Sequence, residues 1–237
     1  MFQNIKIDIA GWPLRDLTLD ELNGLFTSGH IQSTEGALEL AKDFVESRSI
    51  KKLAAVIGQY DFNVLSFAGT TDFCNMSGMG ERDYFRYLKI QFAEAAFLNC
   101  NMFRALVGEA GQALSNAALI YRLNQAQDML GNIELVFETH GGRETELETL
   151  CAILDHTSFR YVVDISNIGQ SESVQYFMEN DLSDRIAYFH IRNWGRHVED
   201  DVSLAWEQEL MKKYPNQRFM FEPKMIAGTD ALNIIKS

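Results

Sequence analysis

Four polar residues close four short apolar runs in the second half of the chain. ELVFE ends in Glu138, RYVVD in Asp164, IAYFH in His190 and RFMFE in Glu222. Their separations are 164 − 138 = 26, 190 − 164 = 26 and 222 − 190 = 32 residues, one strand-and-helix unit each. Side chains alternate along a strand with period two. Phe137, Val163, Phe189 and Phe221 are therefore expected to face outward, and the four polar groups to converge inside. Three carboxylates so close together repel one another, a penalty that a divalent cation removes. Two glutamates, an aspartate and a histidine make a mixed oxygen and nitrogen donor set suited to Mn²⁺, Co²⁺, Mg²⁺ or Zn²⁺. The competing reading is four unrelated strand-end residues paired with loop arginines. Their common spacing argues against it.

The elements that must position these residues follow from the pattern. Short apolar runs occur at 5–11, 30–33, 63–69, 102–108, 134–141, 160–167, 186–193 and 218–225. Amphipathic stretches lie between them. The segment 34–46 places Ala37, Leu40, Ala41 and Phe44 on one helical face, with Ser33 or Thr34 as its cap. The segment 81–100 carries a stripe of Tyr84, Leu88, Phe92 and Ala95, and 144–156 one of Leu147, Leu150, Cys151 and Leu154. Eight strands alternating with helices at about 30 residues per unit predict an α/β chain folded as a (β/α)8 TIM barrel. The competitor is a doubly wound open sheet. A Gly-rich turn after the first strand, which dinucleotide-binding open sheets need, is missing, as is GxxxxGK[ST].

Composition sets further bounds. The chain has 237 residues, 46% hydrophobic and 23% charged, the proportions of a folded globule. No Pro-rich or single-sign tract marks a linker, so residues 1–237 are expected to form a single domain. Lys plus Arg number 21 against 33 Asp plus Glu, a net charge of −12, which argues against a nucleic-acid partner. Cys74, Cys100 and Cys151 form no CxxC pair, which favours a reducing cytoplasm over a disulfide or zinc framework. The first residues lack a signal-peptide pattern, and no run reaches the length of a membrane span.

At this point the sequence resembles the xylose isomerase-like sugar-phosphate isomerase/epimerase barrels. ETH at 138–140 resembles that family's motif after strand five, and DISN at 164–167 its Asp-x-x-His after strand six. HIRNWGR at 190–196 is similar to the strand-seven His followed six residues later by Arg, and FMFEP contains the strand-eight Glu. The resemblance implies that Glu138, Asp164, His190 and Glu222 ligate a metal. It implies that Glu138 and Glu222 are the catalytic proton-transfer pair, and that Arg196 anchors a substrate oxygen. Asn167 departs from the family: it stands where the family has His. It keeps a donor and an acceptor but carries no proton, which bears on substrate and on catalysis. Only KMIAGTDALNIIKS follows FMFEP, so a C-terminal lid or dimerisation helix is expected to be absent.

Other residues admit two readings. His140 sits two after Glu138, as a substrate contact or a loop residue. Trp12 and Trp194 follow strands one and seven, and stack on a sugar ring or pack the rim. His197 and Glu109 are weaker pocket candidates. Asp72 reads as a turn residue, and His30 and His156 as structural. The expected function is a divalent-metal-dependent isomerase or epimerase of a small sugar, keto-sugar or polyol derivative, acting through an enediolate. The partner is then a small carbohydrate-like molecule, with neither nucleic acid nor membrane, and a homo-oligomer is compatible with it. A metal-dependent lyase shares the first half of that chemistry. A phosphoesterase needs a larger His cluster. A catalytically silent metabolite-binding barrel is the non-enzymatic alternative.

Overall fold

The computed structural model describes residues 7–9, 17–27, 37–42, 45, 49–59, 63–74, 79–107, 114–139, 146–168, 172–193, 198, 201–222 and 233. Eight parallel strands close into a barrel in sequence order: β1 Ile7–Ile9, β2 Ala37–Ala41, β3 Asn63–Asp72, β4 Met102–Leu106, β5 Glu134–Glu138, β6 Arg160–Asp164, β7 Ile186–Ile191 and β8 Phe219–Phe221. Pairing of β1 with β8, Ile7 opposite Phe219 and Ile9 opposite Phe221, makes the closure. The helices are α1 Leu19–Thr27, α2 Ile50–Gln59, α3 Glu81–Phe97, α4 Asn116–Leu130, α5 Leu147–His156, the single turn α6 Ile165–Ile168, α7 Glu172–Glu179 and α8 Asp201–Lys213.

Local sequence explains where helices start and which faces they bury. Thr18 and Glu21 open α1 as a reciprocal capping box: the Thr18 N–H donates to Glu21 at 2.8 Å, and the Glu21 N–H to the Thr18 hydroxyl at 3.2 Å. Ser115 caps α4 by accepting from the Ala118 N–H at 3.3 Å, and Gly131 ends it with a φ of 64°, a conformation glycine adopts without penalty. Leu119, Leu123, Ala126 and Leu130 form the buried stripe of α4. In α3 the predicted stripe of Tyr84, Leu88, Phe92 and Ala95 is buried, joined by Gln91.

The strands separate two layers. Phe137, Val163 and Phe189 belong to the core between strands and helices, and Phe221 is buried as well. Phe137 meets Phe159 and Tyr161 edge-on at centroid distances of 5.3 and 6.3 Å. Inside the barrel a smaller apolar cluster contains Val136, Val162, Tyr188 and Met220. Each lies two residues before Glu138, Asp164, His190 or Glu222. One pleat of the sheet thus separates an apolar floor from a polar layer at the C-terminal ends of the strands.

Two sequence expectations change. Residues 37–41 are strand β2 rather than part of a helix over 34–46, and residues 30–33 lie outside the described residues. ALELA satisfies both periods: Ala37, Leu40 and Ala41 share a helical face, yet Leu38 and Leu40 alternate with Glu39. Closure of the sheet decides for the strand, because Ala37 to Ala41 pair along β3, with a register shift between Leu38 and Glu39. Asp72 ends β3 and accepts from the Cys74 N–H at 2.9 Å, the turn role expected of it.

Candidate metal and proton-transfer site

The ligand set expected from sequence converges. Glu138, Asp164, His190 and Glu222 each place one donor atom within 4.8 Å of the others. Ladder pairing explains this: Asp164 is opposite His190, and Glu222 follows Phe221, the partner of Ile191. His190 Nδ1 lies 3.0 Å from Glu138 Oε1 and 3.1 Å from Glu222 Oε2. Metal bonds of about 2.0–2.2 Å place neighbouring ligands about 3 Å apart, so these donors fit a divalent ion. Glu222 is the most open of the four, its side chain 12% exposed, whereas His190 is fully buried.

The site contains more charge than sequence reasoning assigns it. Glu39, on β2, is wholly buried beside it. Arg104, on β4, donates to Glu39 through Nε at 2.9 Å and Nη2 at 3.1 Å, and its Nη1 pairs with Glu138. The Tyr188 hydroxyl donates to Glu39 Oε2. Arg192, just beyond β7, donates to Asp164 Oδ2 at 2.8 Å and to Asn167 Oδ1 at 2.9 Å. Asn167 donates from Nδ2 to Asp164 Oδ2 at 2.8 Å. Thr139 staples β5 to β6: its hydroxyl accepts from the Asp164 N–H at 2.8 Å and donates to the Asp164 carbonyl at 3.4 Å. Glu207, on α8, accepts the N–H groups of Arg192 at 2.8 Å and Asn193 at 3.2 Å, fixing the chain after β7.

Carboxylate repulsion is therefore met in part by arginine. Four carboxylates, Glu39, Glu138, Asp164 and Glu222, face two guanidiniums, Arg104 and Arg192. A remainder of two negative charges is what a divalent cation beside a neutral His190 brings to zero. Without the ion, a protonated His190 offsets one of those two charges. Burial disfavours the His190 cation, but Glu222 and Glu39 outweigh it and raise the group to about 10. Burial raises the Glu39 carboxyl, and Arg104 and His190 reverse this, leaving it at about 2. Glu222 is likewise opposed by burial and held below its ordinary value, chiefly by His190 and then Arg104. Burial dominates at Glu207, which rises to about 7 despite its backbone donors.

Of the remaining sequence candidates, Asn167 is at the site, through Asp164 and Arg192. His140, Arg196, Trp12 and Trp194, with Glu109, His30 and His197, lie outside the described residues. His156 ends α5 and is exposed. Sequence reasoning missed Glu39, Arg104, Arg192 and Glu207. Arg192 was open to it, since it stands two residues after His190 and obeys the same alternation. No helix among the described residues is long and apolar enough to cross a membrane.

No protein-family model matches the sequence, and no curated protein does. Solved structures resemble the fold closely. A xylose isomerase domain-containing protein from Salmonella typhimurium LT2 superposes with a TM-score of 0.72 at 12% identity, over 97% of this chain and 92% of that one. The 3-keto-D-glucoside 4-epimerase YcjR from E. coli gives 0.67 at 13% identity, over 98% and 97%. The IolI protein, solved with a bound zinc atom, gives 0.69 at 14% identity, over 98% and 96%. At such identities the likeness is one of architecture, and this chain is a (β/α)8 barrel of the xylose isomerase-like fold.

Proposed function

We propose that the protein is a divalent-metal-dependent isomerase or epimerase of a small sugar, keto-sugar or polyol derivative. The observation that carries this reading is the placement of Glu138 and Glu222 oxygens at 3.0 and 3.1 Å from His190 Nδ1. Glu138, Asp164, His190 and Glu222 would hold the ion, be it Mn²⁺, Co²⁺, Mg²⁺ or Zn²⁺. When bound, such an ion polarises a substrate carbonyl and its neighbouring hydroxyl. Glu222, ionised and nearest the opening, takes the proton from the carbon between them. Glu138, beside Arg104, enters the step protonated and gives its own proton to the opposite face or to the adjacent carbon. Exchange with solvent then clears the proton from Glu222 and restores the one on Glu138. Arg192 and Asn167 keep Asp164 in place. The zinc of IolI and the epimerase activity of YcjR, on barrels of the same fold, support the reading.

Metal analysis by mass spectrometry of the wild type and of Glu138→Gln/Glu222→Gln tests it. The expected result is one Mn, Co, Mg or Zn per wild-type chain and none in the double variant. Solvent deuterium should then enter a ketose substrate at the carbon that loses its proton. No metal in either protein after loading with Mn²⁺ and Zn²⁺ overturns the reading. A second reading, a catalytically silent metabolite-binding barrel, draws on the engagement of Arg104 with Glu138 and of Arg192 with Asp164. Metal uptake without deuterium exchange across a panel of ketoses favours it.

A further inference from the structure

The two nitrogens of the His190 imidazole face different surroundings. Nδ1 faces Glu138 and Glu222, the side on which an ion would be held. Nε2 points away from that side, with Glu39 Oε2 at 3.5 Å and no closer hydrogen-bond partner among the described residues. Glu39 stands outside the ligand set. Its carboxylate is fixed by the two-pronged Arg104 contact and by the Tyr188 hydroxyl. The Tyr188 ring lies beside the imidazole, with centroids 5.6 Å apart. A fixed, buried carboxylate behind a histidine sets that ring's tautomer and orientation, so that the opposite nitrogen offers its lone pair.

We propose that Glu39 is a positioning residue for metal capture, holding His190 with Nε2 protonated and Nδ1 presented to the ion. The proposal rests on the metal-site reading above and adds to it a carboxylate from β2, on another part of the barrel wall. Arg104 and Tyr188 serve to hold Glu39. In Glu39→Gln the shape is kept, but the charge is lost. The amide can then turn its NH2 toward Nε2, which stabilises the wrong tautomer. Co²⁺ affinity should fall about 10- to 100-fold. Tyr188→Phe leaves the Arg104 contact intact and frees one oxygen, so its loss should be smaller and in the same direction. Glu39→Asp restores the charge and should recover part of the affinity.

The test is titration of the wild type, Glu39→Gln, Glu39→Asp and Tyr188→Phe with Co²⁺ alone, read by visible absorption, with folding checked by circular dichroism. Long-range ¹H–¹⁵N spectra of the Zn²⁺-loaded wild type report the His190 tautomer. The proposal expects Nε2–H with Nδ1 metallated, the stated order of affinities, and an altered Co²⁺ spectrum in Glu39→Gln. Equal Co²⁺ affinity in wild type and Glu39→Gln, or zinc on Nε2, overturns the role of Glu39 and leaves the metal site standing. A wild type that takes up no Co²⁺ overturns both. If Glu39→Gln does not fold, Tyr188→Phe and the wild-type tautomer decide the matter: undiminished Co²⁺ affinity in the former or metallated Nε2 in the latter refutes it.

Discussion

Asn167 reaches back from the turn after β6 and donates its side-chain amide to Asp164 Oδ2 at 2.8 Å. The same Asn167 accepts from Arg192 at 2.9 Å, so one residue ties a carboxylate of β6 to a guanidinium beyond β7. A neutral imidazole at this position would also offer one donor and one acceptor. Asn167 thus supplies the hydrogen-bonding pattern of a neutral imidazole without a titratable proton. Asn167→Ala should cost about 1–2 kcal/mol in urea unfolding and weaken Zn²⁺ binding about tenfold. Unchanged Zn²⁺ affinity would show that the strand and Arg192 suffice to hold Asp164.

Arg104 stands between Glu39 and Glu138, and its removal leaves two buried carboxylates short of a cation. Arg104→Met should destabilise the metal-free protein by about 3–5 kcal/mol, the usual cost of breaking a buried ion pair from one side. A divalent ion would restore part of the missing charge. The rise in Tm on adding Mn²⁺ should therefore be larger in Arg104→Met than in the wild type. An equal rise would mean that Arg104 and the ion do not share a charge balance.

Glu207 gives a pH dependence of definite sign. Its folded value, about 7, lies above the ordinary 4.5, so the native state holds a proton that the unfolded chain releases first. The resulting stability is complete below about pH 4.5 and is lost as pH rises through about 7. It amounts to about 3 kcal/mol. Glu39 runs the other way: its stabilisation is present above 4.5 and lost as pH falls toward about 2. The comparison of wild type with Glu207→Gln isolates the first effect. Urea stabilities measured from pH 4.5 to 8 should shift in favour of the Gln variant as pH rises. A constant gap would refute the assignment.

Metal binding should expel a proton. His190 is raised to about 10, burial being outweighed by Glu222 and Glu39, while a ligating imidazole must be free of its proton at the binding nitrogen. Apparent Zn²⁺ affinity should rise about tenfold per pH unit between about pH 6 and 8. Calorimetry in two buffers of different ionisation enthalpy should count about one proton released per ion. A count of zero would remove His190 from the ligands or the proton from His190.

The strand ends that bring Glu138, Asp164, His190 and Glu222 together were legible because a barrel wall imposes an in-and-out alternation and the sequence keeps it. Phe137 before Glu138 and Phe189 before His190 state it directly. Residues 37–41 were not legible, because ALELA satisfies two periods at once and only pairing within the sheet, with β1 and β3, chooses between them. Glu39 disappeared with that choice. Arg104 sits between the fully buried Phe103 and Ala105, an alternation visible in MFRAL but without a partner until the barrel closes. Glu207 is unreadable from sequence for a different reason. Its partners are main-chain N–H groups fifteen and fourteen residues away, and backbone donors leave no trace in residue types.

The hydroxyl of Thr139 both accepts from and donates to the main chain of Asp164, so the exits of two adjacent strands travel as one body. The main chains that carry Glu138 and Asp164 are thus tied through a side chain as well as through the pairing of β5 with β6. Glu222, by contrast, follows a strand of only three residues. On the metal-site reading, the Glu138 and Asp164 pair would be the fixed jaw of a vice and Glu222 the jaw left to fit the ion.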